Sequence, residues 1–160
     1  MVLLRDLGAP LSPFNAFQII QGLETVGLRM KQHCSNAEKV VSFLETQKKV
    51  TNVIYPTNHQ GEIKERAKKY MQGGYGSLVG MDVGTKENGA KFIDNLKMLY
   101  HVANIGDARS LAIHPATTTH SQLNDKELLA AGVTPGYVRL SIGIEHPDDI
   151  IADIKQALAA

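Results

Sequence analysis

Residues 137–157 read YVRLSIGIEHPDDIIADIKQA, and this stretch contains the two kinds of element from which the fold is predicted. Polar and apolar side chains alternate from Tyr137 to Ile142, which predicts a strand with one buried face. A helix is then expected to begin at Asp148 or Asp149 and to end at Ala157. A strand followed closely by a helix is typical of a small sheet with helices packed against it.

The same signals recur nearer the amino terminus. Ser12-Pro13 predicts the start of a helix, the glycines at 22 and 27 predict a break near residues 24–27, and a second helix follows over about 28–46. Further helices are predicted over about 62–71, 86–96 and 125–131. Short strands are predicted at Val50–Tyr55, Ser77–Val83, Met98–Ala103 and Ser110–Ile113. The expected fold class is α/β, an α+β sandwich whose small, mostly antiparallel sheet of about four strands is covered by helices.

Length and composition limit the classes of protein that fit. The 160 residues suffice for a single domain over 1–160. The formal net charge is only +1, so no binding to nucleic acid is expected. No run of about twenty apolar residues exists, so no membrane span is expected. One cysteine, Cys34, forms no internal disulfide, and the start of the chain does not resemble a signal peptide, so a cytoplasmic location is expected.

Motifs that would indicate a catalytic or metal site are incomplete. The segment GTKENGAK at 84–91 lacks the Gly-Lys-Ser/Thr ending of a phosphate loop. His114 and His120 lack the spacing and the neighbouring ligands of a metal site. Ser110, His114 and Asp107 are the residue types of a hydrolase triad, but no nucleophile elbow surrounds the serine. We therefore predict no catalytic residue and no metal ligand from these patterns.

Two long segments resemble a known family. They are LRDLGAPLSPFNAFQIIQGLETVGLRMKQHCSNAEKVVSFLE at 4–45, and HVANIGDARSLAIHPATTTHSQL with VRLSIGIEHPDDIIADIKQAL between 101 and 158. Both resemble the last third of the Cys/Met-metabolism family of pyridoxal-phosphate enzymes. The LRDLGA and HPATTTHSQL stretches favour its O-acetylhomoserine sulfhydrylase branch. A fragment of a cystathionine synthase or lyase, or of a methionine lyase, is the alternative within the family.

The resemblance implies the small carboxy-terminal domain of a fold-type I enzyme. Residues 1–27 would belong to the helix region that connects to a large domain, and residues 28–160 would form the small domain. The large domain of the family binds pyridoxal phosphate on a Schiff-base lysine, so this chain is expected to bind no cofactor and to be inactive alone. The complete enzyme would be a homo-oligomeric transferase that makes homocysteine from O-acetylhomoserine and sulfide.

Three positions match substrate-binding residues of the family. Arg139 matches the arginine that pairs with the substrate α-carboxylate, a role that suits the planar guanidinium group. Asn104 falls where relatives have a serine or asparagine facing the same carboxylate, although it would also suit a residue that caps a loop. Thr119 matches a threonine near the cofactor lysine, and a hydroxyl that satisfies a local turn is the alternative. Gly106, Ser110 and His114 resemble scaffold residues of the family. Glu145 is interpreted as a residue that leads into the final helix, and not as a catalytic acid.

A function from another class fits the same sequence. The chain would then be a non-catalytic binding or assembly module that pairs with a separately encoded pyridoxal-phosphate domain. Leu3, Leu4 and Leu7 would be exposed unless another protein segment covered them, which favours a partner under either interpretation.

Overall fold

The computed structural model describes residues 2–160, with the side chains of Val2 and Leu4 left out. Seven α-helices and five strands follow one another along this part of the chain. The helices are α1 (Val2–Asp6), α2 (Pro13–Glu24), α3 (Val26–Leu44), α4 (Gly61–Tyr70), α5 (Lys86–Asn95), α6 (Asp125–Ala130) and α7 (Pro147–Ala159). The strands are β1 (Asn52–Ile54), β2 (Leu78–Asp82), β3 (Tyr100–His101), β4 (Leu111–Ile113) and β5 (Tyr137–Ser141). Single 3₁₀ turns lie at Pro56–Asn58 and Pro115–Thr117.

The five strands form one sheet in the order β1-β2-β5-β4-β3. The strand predicted from the alternating stretch, β5, lies in the centre and pairs antiparallel with both β2 and β4. The pair β3–β4 is parallel. Every predicted strand segment contributes to the sheet, and the expected mostly antiparallel α+β arrangement is confirmed.

Strand β3 is shorter than the sequence suggests because the residues before it form hydrogen bonds outside the sheet. The backbone amides of Lys97, Met98 and Leu99 donate to the carboxylate of Asp153 in α7, at 2.8–2.9 Å. These three amides are therefore committed to a helix side chain, and pairing with β4 begins only at Tyr100.

One face of the sheet is covered by helices α3, α5 and α7, which together with the strands enclose the main core. Alternate residues of the strands, such as Val138 and Leu140 of β5, point into it and are fully buried. The helices contribute apolar side chains from the faces that they turn towards the sheet. The most buried of these are Ala37, Val40, Leu44, Phe92, Ile150 and Ile154.

The other face has a covered half and an open half. Residues directly opposite one another in the register share a face, so Ile54, Gly80, Arg139 and Ile113 form one row across four strands. The segment that contains α6 packs near Tyr137 through a second, small core of Ala116, Leu128 and Val133. Ile54 and Leu78 remain more than a third exposed. Arg139 therefore lies at the border between the two halves.

Helix boundaries follow the predicted caps with small shifts. The Ser12 hydroxyl accepts a hydrogen bond from the Asn15 amide at 3.2 Å, as a serine cap should. The predicted break lies at Thr25, between α2 and α3. Helix α7 begins at Pro147, with His146 as its cap, because proline suits the first helical position. Helix α1 is an element that the sequence did not predict. Helix α2, by contrast, was predicted, but none of its residues is buried.

Candidate functional site

Arg139 is the centre of the candidate site. It lies in the middle of β5, and its side chain lines an open depression on the uncovered half of the sheet. Gly80 lies directly opposite on β2, where a Cβ atom would come within 2.7 Å of Cε2 of Tyr137 and 3.1 Å of Cβ of Ile54. The glycine therefore leaves room for the Tyr137 ring to lie across the strand beside Arg139. The full lining is Ile54, Tyr55, Pro56, His59, Leu78, Val79, Gly80, Tyr137 and Arg139.

The electrostatic environment of Arg139 favours an anion. No acidic residue is among those that line the depression, and no carboxylate within residues 2–160 forms a salt bridge with this guanidinium group. Burial raises the pKa of the neighbouring Tyr137 phenol, and the positive charge of Arg139 opposes that shift. A half-buried cation among apolar groups interacts more strongly with an anion than an exposed cation does, because solvent screens it less.

Asn104 lies in the exposed loop 102–109, which leads into β4. Its side-chain oxygen accepts a hydrogen bond from the Ile105 amide at 2.9 Å, which is the loop-capping contact that the sequence left open. The amide group of the side chain remains available for another acceptor. The loop is linked to the strand of Arg139, because the Gly106 amide donates to the Ser141 hydroxyl at 3.4 Å.

Thr119 lies at the opposite end of β4, in the exposed turn that follows the 3₁₀ turn at Pro115–Thr117. Its hydroxyl is 2.9 Å from Nδ1 of His120. Ile113, the last residue of β4, is the direct neighbour of Arg139. The segments that carry Asn104 and Thr119 thus flank β4 at its two ends, while Arg139 lies beside it. No hydrogen bond joins the three predicted side chains in the part of the chain that the structure describes.

Ser110 and His114, two members of the rejected triad, are buried and belong to different networks. His114 is bound through Nε2 to the Pro135 carbonyl at 2.8 Å and through Nδ1 to the Thr117 hydroxyl at 2.9 Å. Burial lowers the pKa of His114, against the effect of the Pro135 hydrogen bond. A neutral, doubly bonded imidazole has a structural role, in agreement with the scaffold interpretation.

Sequence reasoning missed the network around Glu145. The Glu145 carboxylate accepts hydrogen bonds from both the amide and the hydroxyl of Ser110, at 2.6 and 2.9 Å. In α3, Asn36 donates to the carbonyls of Gly143 and Glu145, at 3.0 and 2.8 Å. His33 Nδ1 lies 2.6 Å from the Ile142 carbonyl. These partners are separated by 35 or more positions in the chain, and no local pattern connects them.

The side chains present do not fit a complete pyridoxal-phosphate site. A lysine that binds this cofactor covalently needs an enclosed setting in which its amine loses its proton easily. Every lysine here is exposed except Lys64, which is half-buried in α4. Among the described residues, no group of three or more His, Cys, Asp or Glu side chains is placed to hold a metal ion. None of the described helices combines the length and the hydrophobicity that a membrane span requires.

Comparison with known proteins identifies the family. A family model described as "Cys/Met metabolism PLP-dependent enzyme" matches residues 1–159. The chain belongs to this family. Its members depend on pyridoxal phosphate, as the description states, and the resemblance inferred from the sequence is confirmed.

Similar members of the Cys/Met-metabolism family carry related descriptions. The chain is 52% identical over 157 residues to an O-acetyl-L-homoserine sulfhydrylase of Leptospira meyeri, with 97% of this chain and 36% of that protein covered. It is 45% identical over 166 residues to a homocysteine/cysteine synthase of Saccharomyces cerevisiae, with 97% and 37% covered. The chain therefore spans a little over a third of the length of these relatives.

A solved structure in the same family has the same fold. It is a Campylobacter jejuni protein, provisionally described as an O-acetylhomoserine (thiol)-lyase, whose crystal structure contains a pyridoxyl-lysine monophosphate. It is 43% identical to this chain, with a TM-score of 0.89, and the match covers 99% of this chain and 38% of the other. The fold-type I assignment is thus confirmed.

Proposed function

We propose that this chain is the carboxy-terminal, substrate-recognising part of a pyridoxal-phosphate-dependent O-acetylhomoserine sulfhydrylase, which makes homocysteine from O-acetylhomoserine and sulfide. Residues 1–27 are its connecting region, and residues 28–160 form its small domain. The cofactor and the lysine that binds it belong to a large domain with which this chain joins. The chain alone is inactive, and the complete enzyme is a cytoplasmic homo-oligomer.

The observation that carries this proposal is the position of Arg139. Arg139 is a half-buried residue at the edge of an apolar depression, and its guanidinium group has no carboxylate partner among the described residues. The planar group can pair two parallel N–H donors with the two oxygens of the substrate α-carboxylate. Such a pair fixes the substrate in one orientation, which a point charge does less well.

Asn104 and Thr119 complete the site in this proposal. The free amide group of Asn104 donates to the same carboxylate, from the loop that is linked to β5 through Ser141. The Thr119 hydroxyl approaches from the segment at the other end of β4. Both side chains are exposed in this chain, as residues that meet a substrate or another domain must be.

The test is substitution of Arg139 in the complete enzyme. Arg139→Ala should raise the KM for O-acetylhomoserine and lower kcat/KM, with a loss on the order of 2–5 kcal/mol for a charge-assisted bidentate pair in a closed site. Part of the effect should appear in kcat, because the carboxylate contact also orients the reacting carbon. Arg139→Lys should recover little, since lysine lacks the planar fork.

Two comparisons make this test specific. Arg66→Ala removes an exposed arginine in α4 that pairs with Glu62, and should leave the kinetics unchanged. The visible absorbance of the bound cofactor should be the same in wild type and in Arg139→Ala. Normal kinetics for O-acetylhomoserine in Arg139→Ala, or loss of the cofactor, would show that the role assigned to Arg139 is wrong.

A further inference from the structure

The turn at residues 142–145, which directly follows the strand of Arg139, is held from two sides. From α3, the fully buried Asn36 donates to two of its carbonyls, and His33 contacts a third. On the sheet side, the Gly143 amide donates to the hydroxyl of Ser110, the residue directly before β4, at 2.8 Å. The backbone of this turn is therefore fixed relative to both the helix layer and the sheet.

The Glu145 side chain extends this fixed turn to the loop that carries Asn104. Ser110 lies between that loop and β4, and both of its donors are bound by the Glu145 carboxylate. A further hydrogen bond joins the Ile144 amide to the Ala108 carbonyl at 2.9 Å. Loop 102–109 is thus attached at Gly106 to Ser141 and at Ala108 to the turn that follows β5, and the Glu145 carboxylate adds two contacts at Ser110, directly after the loop.

We propose that Glu145 is a positioning residue, which acts through Ser110 to fix loop 102–109, and with it Asn104, at a set distance from Arg139. This inference rests on the proposed function. Glu145 itself does not touch the substrate. Its carboxylate suits the task because an ionised acceptor binds two donors of one residue more strongly than a neutral group does. Glutamine offers only one acceptor oxygen, and its amide would oppose a donor of Ser110.

The first experiment measures amide hydrogen exchange in this chain by NMR. Glu145→Gln should accelerate exchange of the Ser110 amide by about tenfold, and Glu145→Ala by more, because one or both acceptors are lost. The Leu140 amide, in the centre of the sheet, should keep its wild-type rate. The exposed Glu38→Gln in α3 carries the same change in charge and should alter neither rate. An equal acceleration at Leu140, or none at Ser110, would overturn the proposal.

The second experiment measures kinetics in the complete enzyme. Glu145→Gln should raise the KM for O-acetylhomoserine by about tenfold and change kcat by less than about twofold, because positioning is lost while the reacting groups remain. If Glu145 acts through Asn104, the Asn104→Ala/Glu145→Gln double variant should have the same KM as Asn104→Ala alone. Additive effects, or a loss confined to kcat, would overturn the positioning role. A normal KM in Arg139→Ala would instead overturn the proposed function. The exchange rate of the Ser110 amide does not depend on that function, so it tests the contact with Glu145 separately.

Discussion

At the scale of single residues, the contact between Gly89 and His114 shows how a side chain that looks reactive can be wholly structural. The imidazole of His114 is fixed at both nitrogens and lies against α5 at Gly89. A Cβ atom at residue 89 would lie 2.6 Å from Cδ2 and 2.9 Å from Cε1 of the ring. Because both ring nitrogens are hydrogen-bonded, the ring cannot move aside without breaking one of these bonds. Helix α5 can therefore lie this close to the ring because residue 89 has no side chain.

Gly89→Ala should therefore destabilise the fold although alanine favours helices. The steric cost of an extra methyl in a packed core is about 1–3 kcal/mol, and the gain in helix propensity, up to about 1 kcal/mol, offsets only part of it. The measurement is the free energy of unfolding in urea. Gly22→Ala is the matched control, because a Cβ atom there would meet nothing within 4 Å. A Gly89→Ala protein as stable as the control variant would contradict the packing described.

The sequence identified some of these residues and missed others for a physical reason. The alternation around Arg139 is local, so its strand and its face could be predicted. His114 was interpreted as scaffold from the resemblance to the family, and its two hydrogen bonds are formed with residues that the sequence alone does not connect to it. The roles of Glu145 and Gly80 depend on partners brought together only by the sheet register. A glycine inside a strand is a known sign of close approach, so Gly80 was the one residue of this kind that could have been found.

At the scale of an element, Asp153 of α7 determines where β3 begins. Asp153 is a buried residue, and its carboxylate accepts hydrogen bonds from three successive backbone amides and from the side chain of Gln156. Burial raises the pKa of this carboxyl. The hydrogen bonds from Leu99, Lys97 and Met98 lower the pKa by a larger amount, so the net shift is downward. Element boundaries set in this way by a distant side chain are beyond local sequence patterns.

Because the pKa of Asp153 is lowered in the folded state, the free energy of unfolding should depend on pH. The stabilisation by Asp153 should be fully present above the ordinary pKa of 3.8 and should be lost as the pH falls towards the lower pKa of the folded state. Asp153→Asn should cost about 3 kcal/mol at pH 7, because buried amides lose a charged acceptor, and should flatten the acid limb of the stability curve. Urea unfolding between pH 3 and 7 measures both effects. The exposed Asp94→Asn should keep the wild-type curve, and an unchanged acid limb in Asp153→Asn would argue against this role.

At the scale of the whole molecule, the amino-terminal helices differ from the rest of the chain. Helix α2 buries none of its residues, and Phe14, Phe17 and Leu23 are 67%, 57% and 60% exposed. Leu3 and Leu7 are also exposed, as the sequence predicted, whereas the Leu4 side chain lies outside the described part. A contiguous apolar surface of this kind usually meets another protein segment.

The isolated chain should therefore self-associate. Burial of one large apolar side chain contributes about 1.5–3 kcal/mol, so Phe17→Ser with Ile20→Ser should weaken association at least about tenfold. Sedimentation over a wide concentration range measures this. Ile63→Ser is the control, since this residue of α4 is 54% exposed but lies outside the amino-terminal surface. A monomer at all concentrations, or equal weakening by the control, would rule out α2 as the contact.

The central position of β5 also bears on how the chain is made. The ribosome releases a chain with its amino terminus first. Strand β5 lies between β2 and β4 in the sheet, yet it is the last of the described strands to emerge. Until residues 137–141 arrive, the growing chain carries two incomplete half-sheets whose inner edges are open to other strands. Completion of the sheet should therefore wait until residues 137–141 have left the ribosome, and a nascent chain that stalls before Tyr137 should be a target for chaperones and a source of aggregates.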